Sequence, residues 1–186
     1  MKVEKTKIDD VLIFTPKVRG DERGFFMEVY RKDVFKELGL YKEFVQDNHS
    51  RSKKNVLRGI HFQWDPPMGK LMRVTRGKAF LVAVDIRKNS PTLGEWIGEY
   101  ISEENKKQIW APAGFARGFC SLSDVTEIQY KCTGTYNHNG ESGIRWNDPR
   151  IGIKWPTDDP QLSEKDTTAQ TLEEWLKTPE SDFFKK

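Results

Sequence analysis

Between residues 55 and 133 the chain runs as short segments rich in β-branched and aromatic side chains, separated by turn residues. Residues 55–63, 71–75, 78–86, 96–101, 108–111 and 126–133 each have the length and composition of a strand. Arg76-Gly77, Asn89-Ser90-Pro91 and Asn137-His138-Asn139-Gly140 punctuate them. Within 78–86, Phe80, Val82, Val84 and Ile86 share one face, while Ala79, Leu81, Ala83 and Asp85 share the other. A strand apolar on both faces belongs between two layers.

Helical periodicity is confined to the ends. Asp33 reads as the cap of a short turn carrying Val34, Phe35 and Leu38, stopped by Gly39. Leu172, Trp175 and Leu176, three and four apart, give a C-terminal helix one apolar stripe. No internal repeat, low-complexity stretch or linker-like segment interrupts the pattern. The elements predict a mainly β chain, an antiparallel sandwich or jelly roll with a few short helices. The expected organisation is one domain over 1–186. Its β core covers about 45–156, with an N-terminal strand region at 1–44 and a C-terminal helical segment at 163–186.

Composition narrows the function classes. A chain of 186 residues can bury one substantial core. Charged residues make up 32% and mean hydropathy is −0.73, so the surface is heavily charged. Six Trp, eleven Phe and five Tyr supply large apolar area, which argues against disorder. The net charge is +3, and basic residues are interleaved with acidic ones, as in Lys32-Asp33. This is a solvated charged face rather than a nucleic-acid footprint; Arg51-Ser52-Lys53-Lys54 is read the same way. No run approaches the ~20 apolar residues of a membrane span. Val11-Leu12-Ile13-Phe14 is too short for a signal-peptide core. Cys120 and Cys132 are the only cysteines, with no CxxC and no His near them in sequence. That argues against a disulfide scaffold or zinc knuckle and makes the cytoplasm the expected location.

Four features can carry chemistry. His61 is the one histidine embedded in a predicted strand, Arg58-Gly59-Ile60-His61-Phe62-Gln63. It reads either as a histidine satisfied by one hydrogen bond or as a general base matched to neutral pH. Tyr130 shares the apolar face of its strand with Ile128 and Cys132, so its hydroxyl needs a partner, or serves as a proton donor across a cavity. Lys70 shares a face with Met72 and Val74; it either snorkels at the strand start or faces a site of developing negative charge. Arginines beside glycine turns, in Arg19-Gly20-Asp21-Glu22-Arg23-Gly24 and Arg58-Gly59, are solvated charges or forks for a diphosphate. No phosphate-cradling glycine loop of the Walker or dinucleotide type is present.

The turn Pro112-Ala113-Gly114-Phe115-Ala116-Arg117-Gly118-Phe119 places Arg117 where metal-binding cupin barrels carry a ligating histidine. Arginine does not ligate divalent metals at neutral pH. His61-Phe62-Gln63 offers one imidazole where a His-x-His pair would be needed. The segment looks like a cupin barrel without its metal.

Several ordered blocks then point one way. They are the Arg19–Glu28 segment, Phe44-Val45-Gln46-Asp47-Asn48-His49-Ser50, the strand around His61, and Ser90-Pro91-Thr92-Leu93-Gly94-Glu95-Trp96. The Pro112 turn and Gly143-Ile144-Arg145-Trp146-Asn147-Asp148-Pro149 complete them. Over nearly its whole length the chain resembles the dTDP-4-dehydrorhamnose 3,5-epimerase family. The resemblance implies a metal-free, cofactor-free cupin jelly roll acting as a homodimer on a dTDP-sugar. It implies inversion at C3 and C5 of dTDP-4-dehydro-6-deoxy-D-glucose, a step toward dTDP-L-rhamnose. By matching motif it implies His61 as general base, Tyr130 as general acid, Asp166 as the carboxylate orienting His61, and Lys70 as the cation beside the C4 oxygen. It also implies nucleotide or sugar contacts from Arg23, Phe26, Glu28, Gln46, Asn48, Arg58, Arg117, Glu141 and Lys165.

Three positions are singled out. Arg117 stands where the family usually has His, a change that suits a phosphate contact and not proton transfer. Strict alternation puts Arg58 and His61 on opposite faces, so either Gly59 marks a bulge or Arg58 reaches the ligand from a rim. Ser163-x-x-Asp166 has the form of a helix cap. Competing expectations are a related enzyme inverting one centre or isomerising the ketone, a non-catalytic sugar-nucleotide binder, and a metal-dependent cupin.

Overall fold

The computed structural model describes residues 1–185. Lys186, the last residue of the expected C-terminal segment, lies outside the described residues. The strands are β1 (Lys2–Lys5), β2 (Leu12–Thr15), β3 (Val18–Asp21), β4 (Gly24–Met27), β5 (Gln46–Ser52), β6 (Leu57–Gln63) and β7 (Lys70–Arg76). They continue with β8 (Lys78–Asp85), β9 (Trp96–Ser102), β10 (Gln108–Ala111), β11 (Phe115–Ser121), β12 (Thr126–Cys132) and β13 (Glu141–Gly143). Of three short helices, α1 (Lys32–Glu37) lies between β4 and β5, and α2 (Glu164–Thr167) and α3 (Leu172–Lys177) follow β13.

Two antiparallel sheets face each other, as a jelly roll requires. One has the order β1-β2-β10-β7-β12-β5, the other β13-β6-β11-β8-β9, and β3 pairs with β4 as a separate hairpin. Alternation along each strand decides what fills the space between. Met72, Val74, Ile109 and Ile128 of the first sheet meet Leu81, Ala83, Phe115 and Phe119 of the second in one buried cluster. The opposite faces are covered separately. Ile60, Phe62, Phe80, Val82 and Val84 pack against Leu172 and Trp175 of α3, and Phe14, Leu71 and Trp110 pack against Phe35 of α1. β8 is therefore apolar on both sides because it has a layer on each, as its sequence predicts.

Two local expectations need correction. The N-cap of α1 is Arg31, with no side-chain cap, and Asp33 lies inside the first turn, where its charge favours the helix N-terminus and pairs with Arg31 at 2.8 Å. Gly39 does stop the helix, at φ +93°. The turn region 112–119 is a strand for most of its length, β11 beginning at Phe115. Among the described residues no helix is long and apolar enough to cross a membrane.

Candidate active site

The cleft opens between the sheets at the end where β6, β7, β11 and β12 come together, and its cavity measures about 240 Å³. Its lining includes Arg58, His61, Lys70, Met72, Arg117 and Tyr130. Register explains the gathering. His61 of β6 stands opposite Arg117 of β11, while Lys70 and Met72 of β7 stand opposite Cys132 and Tyr130 of β12. One wall carries His61 and Arg117; the facing wall carries Lys70 and Tyr130.

Arg58 joins His61 through a bulge. Arg117 pairs with His61 and Phe119 with Arg58, so two steps on β11 match three on β6. The extra residue changes the parity that strict alternation would give. Gly59 makes it possible: φ is +136°, and a Cβ there would lie 2.6 Å from Gly118 Cα. Of the two readings left open by the sequence, the bulge is present, and Arg58, which is exposed, also lies at the rim. Arg58 Nε donates to Ser52 Oγ at 3.1 Å, which holds the guanidinium at the edge of the cleft.

Asp166 is 3% exposed and lies behind His61, with its Oδ1 2.6 Å from His61 Nε2. Ser163 caps α2 by accepting from the Asp166 backbone N–H and donates its hydroxyl to Oδ2 at 2.8 Å. The cap geometry and the contact with His61 are both present, one made by the backbone of Asp166 and the other by its side chain. Burial alone would raise the Asp166 carboxyl, but hydrogen bonds from His61 and Ser163 outweigh it and hold the group below the usual carboxylate range.

Lys70 has no carboxylate partner among the described residues. Burial, followed by the nearby charge of Arg117, pulls its amine down to about 8. Its Nζ sits 5.0 Å from the centre of the Tyr130 ring. Burial, and then Cys132 beside it, pushes the Tyr130 phenol above its ordinary value, so the hydroxyl keeps its proton at neutral pH. Arg117 is 4% exposed, and its Nη1 donates to the carbonyls of Met68, Ala111 and Pro112 at 2.8, 3.3 and 3.3 Å. Burial lowers it to about 10, which leaves it charged at neutral pH.

A polar rim follows. Gln46 Nε2 donates to Asn48 Oδ1, and Gln46 Oε1 accepts from the Tyr136 backbone. Glu141 accepts from Lys165 at 2.6 Å and from the Tyr136 hydroxyl at 2.8 Å. Burial works to raise the Glu141 carboxyl, yet these two bonds keep it below its ordinary value. Glu141 and Lys165 line an adjoining depression that shares His61 with the cleft. Tyr136 and Ser50, the latter in the cleft lining, were not legible as site residues. Tyr136's one signal is an exposed aromatic beside the Asn137 turn. Arg23, Phe26 and Glu28 are elsewhere: Arg23 and Phe26 line a surface depression on the β3–β4 hairpin, where Phe26 is 70% exposed. Their side-chain bonds stay local, Arg23 to Asp21 and Glu28 to Arg31. Among the described residues no group of three His, Cys, Asp or Glu side chains is placed to hold a metal ion.

The model of the family described as dTDP-4-dehydrorhamnose 3,5-epimerase matches residues 5–174. The chain belongs to that family. It is 54% identical over 186 residues to the dTDP-4-dehydrorhamnose 3,5-epimerase of Shigella flexneri, covering 99% of each chain. The crystal structure of a dTDP-6-deoxy-D-glucose-3,5-epimerase from Legionella pneumophila, in complex with dTDP-4-keto-L-rhamnose, superposes with a TM-score of 0.93. That protein is 47% identical, over 97% of this chain and 96% of its own. A dTDP-4-dehydrorhamnose 3-epimerase from Streptomyces niveus is 38% identical, over 94% of this chain and 85% of its own. As a 3,5-epimerase family member the chain is an isomerase of sugar nucleotides, and its mainly β fold is that of its structural relatives.

Proposed function

We propose that the cleft epimerises dTDP-4-dehydro-6-deoxy-D-glucose at C3 and C5, giving dTDP-4-dehydro-L-rhamnose for dTDP-L-rhamnose synthesis. The observation that carries this is the division of labour across the cavity. A carboxylate-backed imidazole stands on one sheet, and a protonated phenol and a lysine stand on the other.

C3 and C5 both flank the C4 ketone, so removing either proton sends an electron pair to the same oxygen. His61 is the base, and Asp166 holds its ring and favours the imidazolium that forms. Lys70 lies where the C4 oxygen gains charge, an interaction that strengthens as the enolate forms and so lowers the barrier. Tyr130 returns a proton from the opposite face, which inverts the centre. Base and acid each contribute about 10²–10⁴-fold. Nothing is oxidised and no group leaves, so the reaction needs no cofactor.

The polar rim of Gln46, Asn48, Arg58, Glu141 and Lys165 takes the sugar and diphosphate. Arg23, Phe26 and Glu28 sit on a hairpin with no bond to the cleft in their own chain. We read them as serving the cleft of a second copy in a homodimer, Phe26 offering a stacking face to the nucleoside. A chain organised as one domain over 1–186 and working in the cytoplasm, with Cys120 and Cys132 as free thiols, fits this role.

The test is proton NMR of the substrate with the protein in D₂O. Loss of the C3 and C5 signals, absent with His61→Ala, supports the two-centre reading. Loss at C3 alone moves the chain to the 3-epimerase reading that the Streptomyces niveus relative keeps in view. Binding without exchange makes the protein a sugar-nucleotide binder and overturns the mechanism.

A further inference from the structure

Arg117 has a feature that the reading above leaves unused. Its Nη1 is fully engaged by three backbone carbonyls, while its Nε and Nη2 are buried without a hydrogen-bond partner. Leaving charged donors unsatisfied in the interior is costly. Arg117 nevertheless lines the same cavity as Lys70, and no carboxylate pairs with either among the described residues.

The three carbonyls locate the guanidinium. Met68 lies two residues before Lys70, Ala111 pairs with Lys70 across β10 and β7, and Pro112 follows Ala111. Arg117 thus reaches from one sheet to the start of β7 on the other and pins the backbone from which Lys70 projects. A fork tied down in this way, at 4% exposure, is built into the floor of the cleft rather than its charged mouth.

We propose that Arg117 is the permanent cation of the C4-oxygen site, and that its charge makes Lys70 a proton-transfer group at that oxygen instead of a fixed charge. This rests on the epimerase reading above. As His61 takes the carbon-bound proton, the electron pair moves to the C4 oxygen and the Lys70 ammonium gives that oxygen a proton, leaving an enol and a neutral amine. When Tyr130 protonates carbon from the other face, the enol proton returns to the amine. Protons balance: His61 has gained one, Tyr130 has lost one, and Lys70 is restored. The guanidinium, tied down at Nη1 and shut off from solvent at Nε and Nη2, supplies a fixed positive charge beside the cleft for the negative charge that develops between these two moments.

The surroundings of Lys70 agree. Facing it are Arg117 on β11, Tyr130 and Cys132 on β12, Glu141 on β13 and Lys165 on α2, with Arg58 and His61 lining the same cavity. Burial comes first in bringing its amine to about 8, and Arg117 second. A proton donor works best when its own titration lies near the working pH.

The test combines Arg117→Gln and Arg117→Lys. The ¹⁵Nζ signal of Lys70 is titrated in the free protein, and kcat and KM are followed against pH. In the unsubstituted protein Lys70 is expected to titrate near 8 and to set the alkaline limb of kcat. Arg117→Gln should move both upward by about half to one pH unit and lower kcat at least tenfold with KM little changed. Arg117→Lys should keep the limb in place. A rise in KM with kcat and the Lys70 titration unchanged would make Arg117 a diphosphate contact and overturn the proposal. A Lys70 signal titrating near 10.5 in the unsubstituted protein would overturn it too, even if Arg117→Gln failed to fold. Absence of epimerase activity in the unsubstituted protein would instead strike the underlying reading, and the Lys70 titration would still report whether Arg117 acts on it.

Discussion

His61 Nε2 and Asp166 Oδ1 are 2.6 Å apart although 105 residues separate them in the chain, and the other oxygen of the same carboxylate is held by Ser163. Asp166 is therefore fixed at three points: one oxygen on His61, one on the capping hydroxyl, and its own N–H on the cap. A side chain held in this way has one orientation to offer the imidazole, which fixes the ring's tautomer.

Replacing Asp166 by Asn should keep the fold and lower kcat by about 10²–10⁴-fold with KM nearly unchanged. Ser163→Ala should cost about 1 kcal/mol of stability through the lost cap and only a small part of kcat. Because the Asp166 carboxyl lies below its ordinary 3.8 in the fold, the stability it contributes is present above that value and disappears as pH falls through the lowered one. Acid unfolding of Asp166→Asn, followed by circular dichroism, should accordingly be less steep below about pH 4.

Lys70 has the opposite sign. The unfolded chain holds its proton up to about 10.5, whereas the folded amine releases it near 8. Below 8 the fold carries the full penalty of a buried ammonium, and stability recovers as pH rises from 8 toward 10.5. Lys70→Met keeps the stem and removes the charge. It should stabilise the protein by about 1–3 kcal/mol at pH 7, with the advantage fading toward pH 10.5, while abolishing epimerisation. Thermal melts across that range read both parts.

Tyr130→Phe separates two steps that wild-type turnover joins. His61 can still remove a proton and return it to the same face, so deuterium should enter C3 and C5 of unconverted substrate. Inverted product should fall by about 10²–10⁴-fold. Equal losses of exchange and inversion would show that the phenol is needed before the carbanion forms, against the assignment.

Gly59 carries the bulge that turns Arg58 and His61 toward one cleft. Gly59→Ala puts a methyl group 2.6 Å from Gly118 Cα at a φ of +136°. It should cost about 2–4 kcal/mol in denaturant unfolding. Activity should fall further than stability explains, because relaxing the bulge returns Arg58 and His61 to opposite faces.

What the sequence disclosed follows the physics of each segment. β8 was legible because apolar residues on both faces admit one environment, and α3 because Leu172 and Trp175 keep a helical spacing. β5 was not legible: Gln46, Asn48 and Ser50 point one way and Asp47, His49 and Arg51 the other, so a strand with a polar inner face and a polar outer face shows no hydrophobic period. β11 hid behind Gly114 and Gly118, which read as turn punctuation, although Phe115, Arg117 and Phe119 alternate inward. His61, Lys70 and Tyr130 could be nominated one by one from residue type. Their meeting depends on strand register, which only tertiary pairing sets. The bulge at Gly59 was one of two open readings, and it depends on the approach of β11's Gly118.

The 105-residue separation of His61 and Asp166 also has a meaning in time. β6 precedes α2 in the chain, so the imidazole is made well before the carboxylate that meets it. Docking of the segment that brings Ser163 and Asp166 is what gives His61 its carboxylate partner. A chain in which the 163–167 segment is undocked is therefore expected to lose the carboxylate contact of His61 while keeping Arg58, Lys70, Arg117 and Tyr130 around the cleft.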